Sequence, residues 1–187
     1  FIHSNQEGVN LAGGSIVFET PAWLELIKRL GSDIIPRCAV AGFFLISGVL
    51  LFRKCFSWQE NMAKKCRSLA APYLLLNTLW ILFYLICQSL PVVSGFFTQS
   101  RIASWGLLDW LDAYTGFRSG GPMVYHLWFL RDLFLMNLIA PAIGALTKKF
   151  PTASAALVLA LYLLRAKTRY FGITIEAICF FTLGGCL

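Results

Sequence analysis

The hydrophobic pattern of this chain consists of uncharged apolar stretches separated by shorter segments that carry most of the charge. Residues 38–52 contain no charged side chain and lie between Arg37 and Arg53. Residues 69–90 form a longer uncharged stretch with Pro72 in its first turn, where the missing N–H of proline is tolerated. Because a helix needs about 20 apolar residues to cross a bilayer, both stretches predict membrane-spanning helices, the first of them short.

Three further apolar segments extend the pattern to the end of the chain. Residues 123–146 are long enough to cross, residues 152–165 are short for a crossing, and residues 170–187 contain a single acid. Phe1 to Ser4 resembles the last turn of another apolar helix. We therefore predict an all-α fold, a polytopic transmembrane bundle of about five spanning helices plus the end of a first one. We expect 1–187 to be one integral-membrane domain, truncated at both ends.

Composition points to the same class of protein. Hydrophobic residues make up 58% of the chain and charged residues only 13%, about half the charged share of a soluble domain. The net charge of +7 could suggest nucleic acid, but the 16 Lys and Arg residues form no continuous basic face. We therefore expect membrane lipid, and not nucleic acid, as a partner. The six cysteines are scattered and do not alternate with the two histidines, so neither a disulfide framework nor a metal site is indicated.

The distribution of charge predicts an orientation. Residues 53–68 carry five cations against one acid, and Lys148 and Lys149 form a second basic segment. Cytoplasmic loops are enriched in Lys and Arg, so both segments belong in the cytoplasm. The longer segments 4–36 and 91–122 are acidic or neutral and fit the outer side. The sequence thus predicts a multi-pass protein of the cell membrane.

Each outer segment contains a stretch with helical spacing, residues 21–30 in the first and 105–114 in the second. Both stretches mix charged residues with apolar ones that include Trp. Such a helix lies in the membrane interface or packs on the protein surface, and the pattern fits both alternatives.

Charged side chains inside predicted spans identify the most polar part of the bundle, because such residues face a cavity or a partner. Arg131 and Asp132 lie within 123–146, and Glu176 lies within 170–187. Both stretches run inward in the predicted topology, so we expect Arg131 to pair with Glu176 at a shared depth. Adjacent residues on a helix point about 100° apart, so we expect Asp132 to face another neighbour. A purely structural ion pair is an equally open interpretation.

His3 suggests chemistry at the outer end of the first helix. Histidine is the side chain best suited to move a proton near neutral pH. The alternative is a hydrogen-bonded helix cap.

Lys64, Lys65 and Arg67 place three cations at the cytoplasmic end of the 69–90 stretch. Lysine ammonium groups and an arginine fork suit phosphate oxygens. The alternative is anchoring of the helix end and binding of lipid headgroups.

Five motifs, taken in order, resemble those of the acyltransferase-3 family of integral-membrane acyltransferases. Each is weak alone, because Phe, Leu and Gly are common in membrane helices, but together they extend over nearly the whole chain. They are His3 with Ser4, the GFFLISGVLL segment Gly42 to Leu51, the basic stretch Lys64 to Tyr73, the HLWFLRDL segment His126 to Leu133, and the FFTLGG segment Phe180 to Gly185.

The resemblance implies an enzyme of the O-acetyltransferase type. It would move an acetyl or other short acyl group from cytoplasmic acyl-CoA to a hydroxyl of a cell-surface or exported carbohydrate or glycolipid. No bound cofactor or metal is implied. His3 would be the catalytic base or a transient acyl carrier, and Lys64 and Arg67 would bind the donor, with Lys64 in place of the first arginine of the family's RxxR pattern.

The acceptor side would be formed by polar and aromatic residues of the other motifs and of the predicted spans. Ser47 lies past the middle of its helix, where it lines the route or bonds to its own backbone. The expected acceptor-binding residues are Ser47, His126, Trp128, Arg131, Asp132 and Glu176.

Two other classes of protein fit parts of the pattern. In a transporter or flippase, the intramembrane charges would form a substrate or proton path, but the chain has no matching pair of broken helices in two halves. In a membrane protein that assembles a larger complex, the polar groups would only join subunits, and no acyl donor would bind.

Overall fold

The computed structural model describes residues 8–11, 14–17, 21–53, 57–96, 101–164, 169–170 and 172–187. The fold is an all-α helical membrane bundle with two short antiparallel hairpins. Its helices are α1 (Ala22–Arg29), α2 (Ile35–Arg53), α3 (Trp58–Lys65), α4 (Ala71–Ser89), α5 (Leu107–Thr115), α6 (Trp128–Leu138), α7 (Ala140–Lys149), α8 (Pro151–Leu164) and α9 (Ile175–Cys186). Strands β1 (Gly8–Leu11) and β2 (Gly14–Val17) pair with Gly8 opposite Val17, and β3 (Arg169–Tyr170) and β4 (Ile173–Thr174) pair with Arg169 opposite Thr174.

Two helices in the described part of the chain are long and apolar enough to cross a membrane. They are α2, with 19 residues, and the continuous 32-residue helix Trp58–Ser89 that contains α3 and α4. A third crossing requires α6 and α7 together, which are bent by 60°. Helices α8 and α9 are apolar but have only 14 and 12 residues. The described helices thus comprise two or three of spanning length and two shorter apolar ones, as expected for an all-α membrane bundle.

Residues 123–146 do not form the single helix expected from the sequence. A 3₁₀ turn, Tyr125–Leu127, leads into α6, and the chain bends at Ile139 before α7 begins. The cause is Pro141, which has no N–H to donate to the carbonyl of Asn137 four residues earlier. The Trp58 indole N–H donates to that carbonyl over 3.4 Å, and the Asn61 amide donates to the Asn137 side chain over 3.2 Å. The bend is thus stabilised by the basic helix α3.

The last helix begins five residues later than the predicted 170–187. Residues before it form the β3–β4 hairpin, whose turn contains Gly172 at φ +78°. This left-handed conformation is one that glycine adopts without steric cost. Helices α2, α4 and α8 begin and end within one turn of the predicted 38–52, 69–90 and 152–165. Helix α4 continues without a break from α3, however, so the whole helix begins at Trp58.

Two π-helical turns, Leu30–Ile34 and Cys66–Ala70, precede Pro36 and Pro72. In each, the first residue after the turn donates its N–H to the carbonyl five residues earlier. A proline ring collides with the carbonyl four residues before it, and the wider turn moves that carbonyl away. The helix therefore continues through both prolines, and Arg67 lies within the second π-helical turn.

The centre of the bundle is the crossing of α2 and α9, where two glycines face each other. A Cβ atom on Gly48 would overlap the Phe181 carbonyl oxygen, and one on Gly184 would lie 2.8 Å from the Val49 nitrogen. Without a side chain at these positions, the two backbones are in contact, as is common between membrane helices. Phe44 and Phe181 are fully buried beside this crossing.

The basic ends of two helices meet on one side of the bundle. The Phe52 ring, near the end of α2, lies against Gly144 of α7 and Gly185 of α9. Helix α2 ends on a cation and α7 ends on two. Since α3 packs on the adjacent end of α6, the segments expected in the cytoplasm share one end of the bundle.

Candidate active site

A buried ion pair lies at the start of α6. The Arg131 side chain is 5% exposed and the Asp132 side chain 0%. Arg131 donates from Nε over 2.9 Å and from Nη2 over 2.7 Å, both to Asp132 Oδ1. Two charge-assisted hydrogen bonds thus converge on one carboxylate oxygen, and the pair neutralises both charges inside the bundle.

The ion pair also fixes two other segments of the chain. Arg131 donates to the carbonyls of Thr115, at the end of α5, over 2.6 Å and of Gly172, in the β3–β4 turn, over 2.8 Å. Asp132 Oδ2 accepts from the Thr174 N–H over 2.9 Å and from its hydroxyl over 2.8 Å. The pair therefore joins α5, α6 and the start of α9 at one point.

The predicted pairing of Arg131 with Glu176 is wrong, whereas Asp132 does bond to a different neighbour, Thr174. Asp132 is the ion-pair partner of Arg131, and Glu176 is half-buried in the first turn of α9. The 100° angle between adjacent helical residues fixes the directions of their Cβ atoms only. The arginine side chain is long enough for its guanidinium group to fold back onto the adjacent carboxylate. The turn at Gly172 brings backbone groups, and not the Glu176 carboxylate, to the pair.

Polar side chains of α4 form hydrogen bonds with the end of α5 and with the segment that follows it. The Tyr73 hydroxyl donates to the Tyr114 carbonyl, and the fully buried Asn77 accepts from the Val124 N–H over 3.1 Å. Thr78 and the Tyr114 hydroxyl are hydrogen-bonded at 2.8 Å. The end of α5 and the segment that follows it thus pack along α4 between Tyr73 and Thr78. Non-helical backbone within the depth of the membrane is tolerated where it is buried in protein or lines a cavity.

The remaining predicted acceptor residues lie around this region. Ser47 is half-buried in α2 beside Gly48, and Trp128 is the half-buried first residue of α6, with its ring edge-to-face with Phe129 at 6.2 Å. His126 is exposed in the 3₁₀ turn, where its ring lies 6.2 Å from that of Tyr125. His3 lies outside the described residues.

The predicted donor cations lie in the first part of the long helix Trp58–Ser89, ahead of the polar residues of α4. Lys64 and Arg67 are both exposed. At about 1.5 Å per residue, they precede Tyr73 by about 14 Å and 9 Å along the axis. The described residues contain no group of three His, Cys, Asp or Glu side chains that could hold a metal ion.

Sequence reasoning missed Tyr73, Asn77 and Thr174, which complete the polar cluster. Asn77 could have been found, because an amide inside the uncharged 69–90 stretch must find a hydrogen-bond partner. Thr174 gave no such signal, since its role depends on the fold of the Gly172 turn.

Comparison with protein families decides the class of the chain. The family model described as an acyltransferase domain, Acyl_transf_3, matches residues 2–186. The chain belongs to the acyltransferase-3 family. No curated protein and no solved structure matches it significantly. The family resemblance drawn from the five motifs is confirmed, and the polar cluster described above is part of a membrane acyltransferase domain.

Proposed function

We propose that this acyltransferase domain moves an acetyl or other short acyl group from acyl-CoA to a hydroxyl of a cell-surface or exported carbohydrate or glycolipid. It would act as part of a multi-pass protein of the cell membrane, with no metal or prosthetic group. The observation that carries the proposal is the family match over residues 2–186. The basic end of the bundle and the polar cluster provide two chemically different environments for the two substrates.

The donor would bind at the basic end, with its phosphates near Lys64 and Arg67. Both side chains are exposed and therefore accessible to a ligand. Arg67 lies in a π-helical turn, a feature that is frequent at functional sites. The rise of about 9–14 Å from these cations to Tyr73 is one that the extended arm of an acyl-CoA can span.

In the reaction, His3 would take the proton from the acceptor hydroxyl while the hydroxyl oxygen attacks the thioester carbonyl. The carbon–sulfur bond then breaks, and the proton passes to the departing CoA thiolate. Ser47, His126, Trp128 and Glu176 would contact the acceptor.

Arg131 and Asp132 would position the acceptor side through the segments that they hold. Their hydrogen bonds go to each other and to neighbouring chain segments. A charged pair occupied in this way does not favour a proton or substrate path, so the transporter alternative gains no support from it.

The proposal is tested by thiol release from acetyl-CoA in membranes that contain the full-length protein and candidate cell-surface glycans. We expect release that requires both glycan and His3, and loss of release in His3→Ala and in His3→Gln. A hydrogen-bonded cap would instead tolerate His3→Gln, which keeps a polar side chain but cannot act as a base near neutral pH. Glycan-dependent release that survives both substitutions would remove His3 from catalysis, and no release with correctly inserted protein would contradict acyl transfer.

The donor site is tested by the variants Lys64→Gln and Arg67→Lys. We expect each to raise the KM for acetyl-CoA roughly tenfold, because a charge-assisted hydrogen bond contributes about 1.5–3 kcal/mol. The KM for the glycan should not change. Lys148→Gln is the matched control, since this cation ends another helix at the same end of the bundle. Equal effects of all three variants would favour general membrane anchoring.

A further inference from the structure

A cavity of about 490 Å³ lies between α5 and the glycine-containing loop that follows it. Its size falls within the range of small-molecule sites. It differs from the positions assigned to the acceptor from the sequence. Its lining combines two carboxylates, a hydroxyl and aromatic rings, provided by Trp105, Asp109, Asp112, Ser119, Met123 and Tyr125.

The wall of the cavity is held by its own hydrogen bonds. Asp112 accepts from the backbone N–H groups of Arg118 over 2.6 Å and of Ser119 over 3.0 Å. Gly116 ends α5 in the left-handed conformation at φ +61°, and the Met123 N–H bonds back to the Ala113 carbonyl over 2.7 Å. A site built in this way loses little conformational freedom when a ligand binds.

The charge of the lining identifies the kind of ligand. Partial burial opposes ionisation of Asp112, but the hydrogen bonds from Arg118 and Ser119 and the nearby charge of Arg118 outweigh it and hold the pKa of the carboxyl below its usual range. Asp109 provides a second carboxylate, and none of the described lining residues is cationic, since Arg118 contacts Asp109 at 3.5 Å without lining the cavity. Arg118 offsets part of the charge of Asp109, and the net negative charge that is left disfavours phosphates and acidic sugars, which argues against CoA as the ligand.

Hydroxyl-rich ligands suit the remaining groups. A carboxylate has about four lone-pair sites, and two of those on Asp112 are used by the loop, which leaves acceptors for sugar hydroxyls. The rings of Trp105 and Tyr125 offer apolar surfaces for the C–H face of a sugar. Trp105 is supported by Trp110, whose ring packs edge-on at 5.3 Å.

The cavity is also connected to the polar cluster of the bundle. The end of α5 bonds to Tyr73 through the Tyr114 carbonyl and to Arg131 through the Thr115 carbonyl. A ligand against α5 would therefore lie on a segment that is fixed directly to this cluster.

We propose that this cavity binds a neutral or amino-sugar unit of the carbohydrate acceptor and rejects acidic sugars. Its role in the reaction rests on the proposed acyl transfer, whereas sugar binding does not. The sugar is held between the carboxylates of α5 and the Trp105 ring, next to the segment that the buried ion pair fixes.

The test measures binding of cellobiose, maltose, N,N′-diacetylchitobiose and the acidic analogue cellobiouronic acid to the full-length protein in nanodiscs, by saturation-transfer NMR. We expect at least one neutral disaccharide to bind more tightly than cellobiouronic acid. Trp105→Leu should raise the Kd for the neutral sugar roughly tenfold. Asp109→Asn keeps an oxygen for the Gly106 N–H and should reduce the preference for the neutral sugar. The matched controls are Trp23→Leu, at a position 64% exposed, and Glu60→Gln, at an exposed position of α3. Both should bind the sugar as the wild type does.

The proposal is overturned if none of the three neutral disaccharides binds, if cellobiouronic acid binds as tightly as they do, or if Trp105→Leu binds as the controls do. Thiol release measured on the same variants separates the two proposals. One outcome is thiol release that requires glycan and His3, with a glycan KM that is unchanged in Trp105→Leu and Asp109→Asn. This outcome would contradict the cavity assignment but not acyl transfer. Sugar binding that is lost in Trp105→Leu, without thiol release from wild-type protein, would contradict acyl transfer and leave the cavity a sugar site.

Discussion

Replacing Asp132 with alanine is expected to lower the free energy of unfolding by about 3–5 kcal/mol, because a buried charge loses its partner. Arg131 would remain ionised with a side chain only 5% exposed. The Thr174 N–H and hydroxyl would also lose their acceptor. The measurement is reversible unfolding in mixed micelles titrated with SDS, followed by far-UV circular dichroism.

The exposed ion pair between Arg118 and Asp109 provides the matched control. Its atoms are 3.5 Å apart and its side chains are 65% and 51% exposed. Exposed pairs contribute about 0–1 kcal/mol, so Arg118→Met should have a small effect. Similar losses in Asp132→Ala and Arg118→Met would show that the buried pair does not hold the bundle together.

A second variant separates charge from hydrogen bonding at Asp132. Asp132→Asn keeps an oxygen that can accept from Thr174 but cannot neutralise Arg131. We expect it to be almost as destabilising as alanine, because an uncompensated buried charge costs more than a lost neutral hydrogen bond. Adding Arg131→Met to Asp132→Asn should recover most of the loss, since buried ion pairs are often replaced by apolar residues at little cost.

Replacing Gly48 with alanine is expected to destabilise the bundle by about 1–3 kcal/mol, the cost of overpacking in a well-packed core. The new methyl group would overlap the Phe181 carbonyl oxygen and lie 3.2 Å from Gly184 Cα. Both obstacles are backbone atoms, so α2 and α9 must separate. The same SDS titration reports the change, and Gly48→Val should have a larger effect.

Gly42 is the matched control on the same helix. A Cβ atom there would meet no atom of another described segment within 4 Å. Alanine in place of glycine inside a helix is favourable by about 0.8–1.0 kcal/mol when nothing obstructs it. Gly42→Ala should therefore be neutral or stabilising, and a Gly48→Ala protein as stable as Gly42→Ala would contradict a backbone contact between α2 and α9.

These two sites hold different parts of the domain. The glycine crossing joins the two central helices, while the ion pair joins the start of α6 to the segments before and after it. The proposed acceptor cavity depends on the second site, because the end of α5 is bonded to Arg131. Substitutions of Asp132 should thus affect acceptor binding more than donor binding at the basic end.

Local features of the fold could be read from the chain wherever a single residue decides them. Pro141 has no N–H for Asn137, so the 60° bend has a local cause in the sequence, although the hydrophobic pattern of 123–146 predicts a single helix. The π-helical turns before Pro36 and Pro72 follow from the same property of proline. In these places, the cause and its effect are a few residues apart.

Partners across the bundle could not be read in the same way. The sequence placed Arg131 and Glu176 at a shared depth, and that reasoning assumed two straight helices. The Gly172 turn and the late start of α9 bring Thr174 to Asp132 instead. The cavity beside Trp105 depends on a loop whose conformation is set by Asp112, Gly116 and Met123 together.

The sequence by itself determined the class of this protein, most of its helices and its family. Long uncharged apolar stretches favour the bilayer over water. The order of the five motifs is visible in the chain alone. Only the tertiary structure decided which polar groups meet. A buried charge binds whichever hydrogen-bonding groups the fold brings within about 3 Å. For Arg131 these are its neighbour Asp132 and the backbone at the end of α5 and in the β3–β4 turn, which helical spacing does not predict.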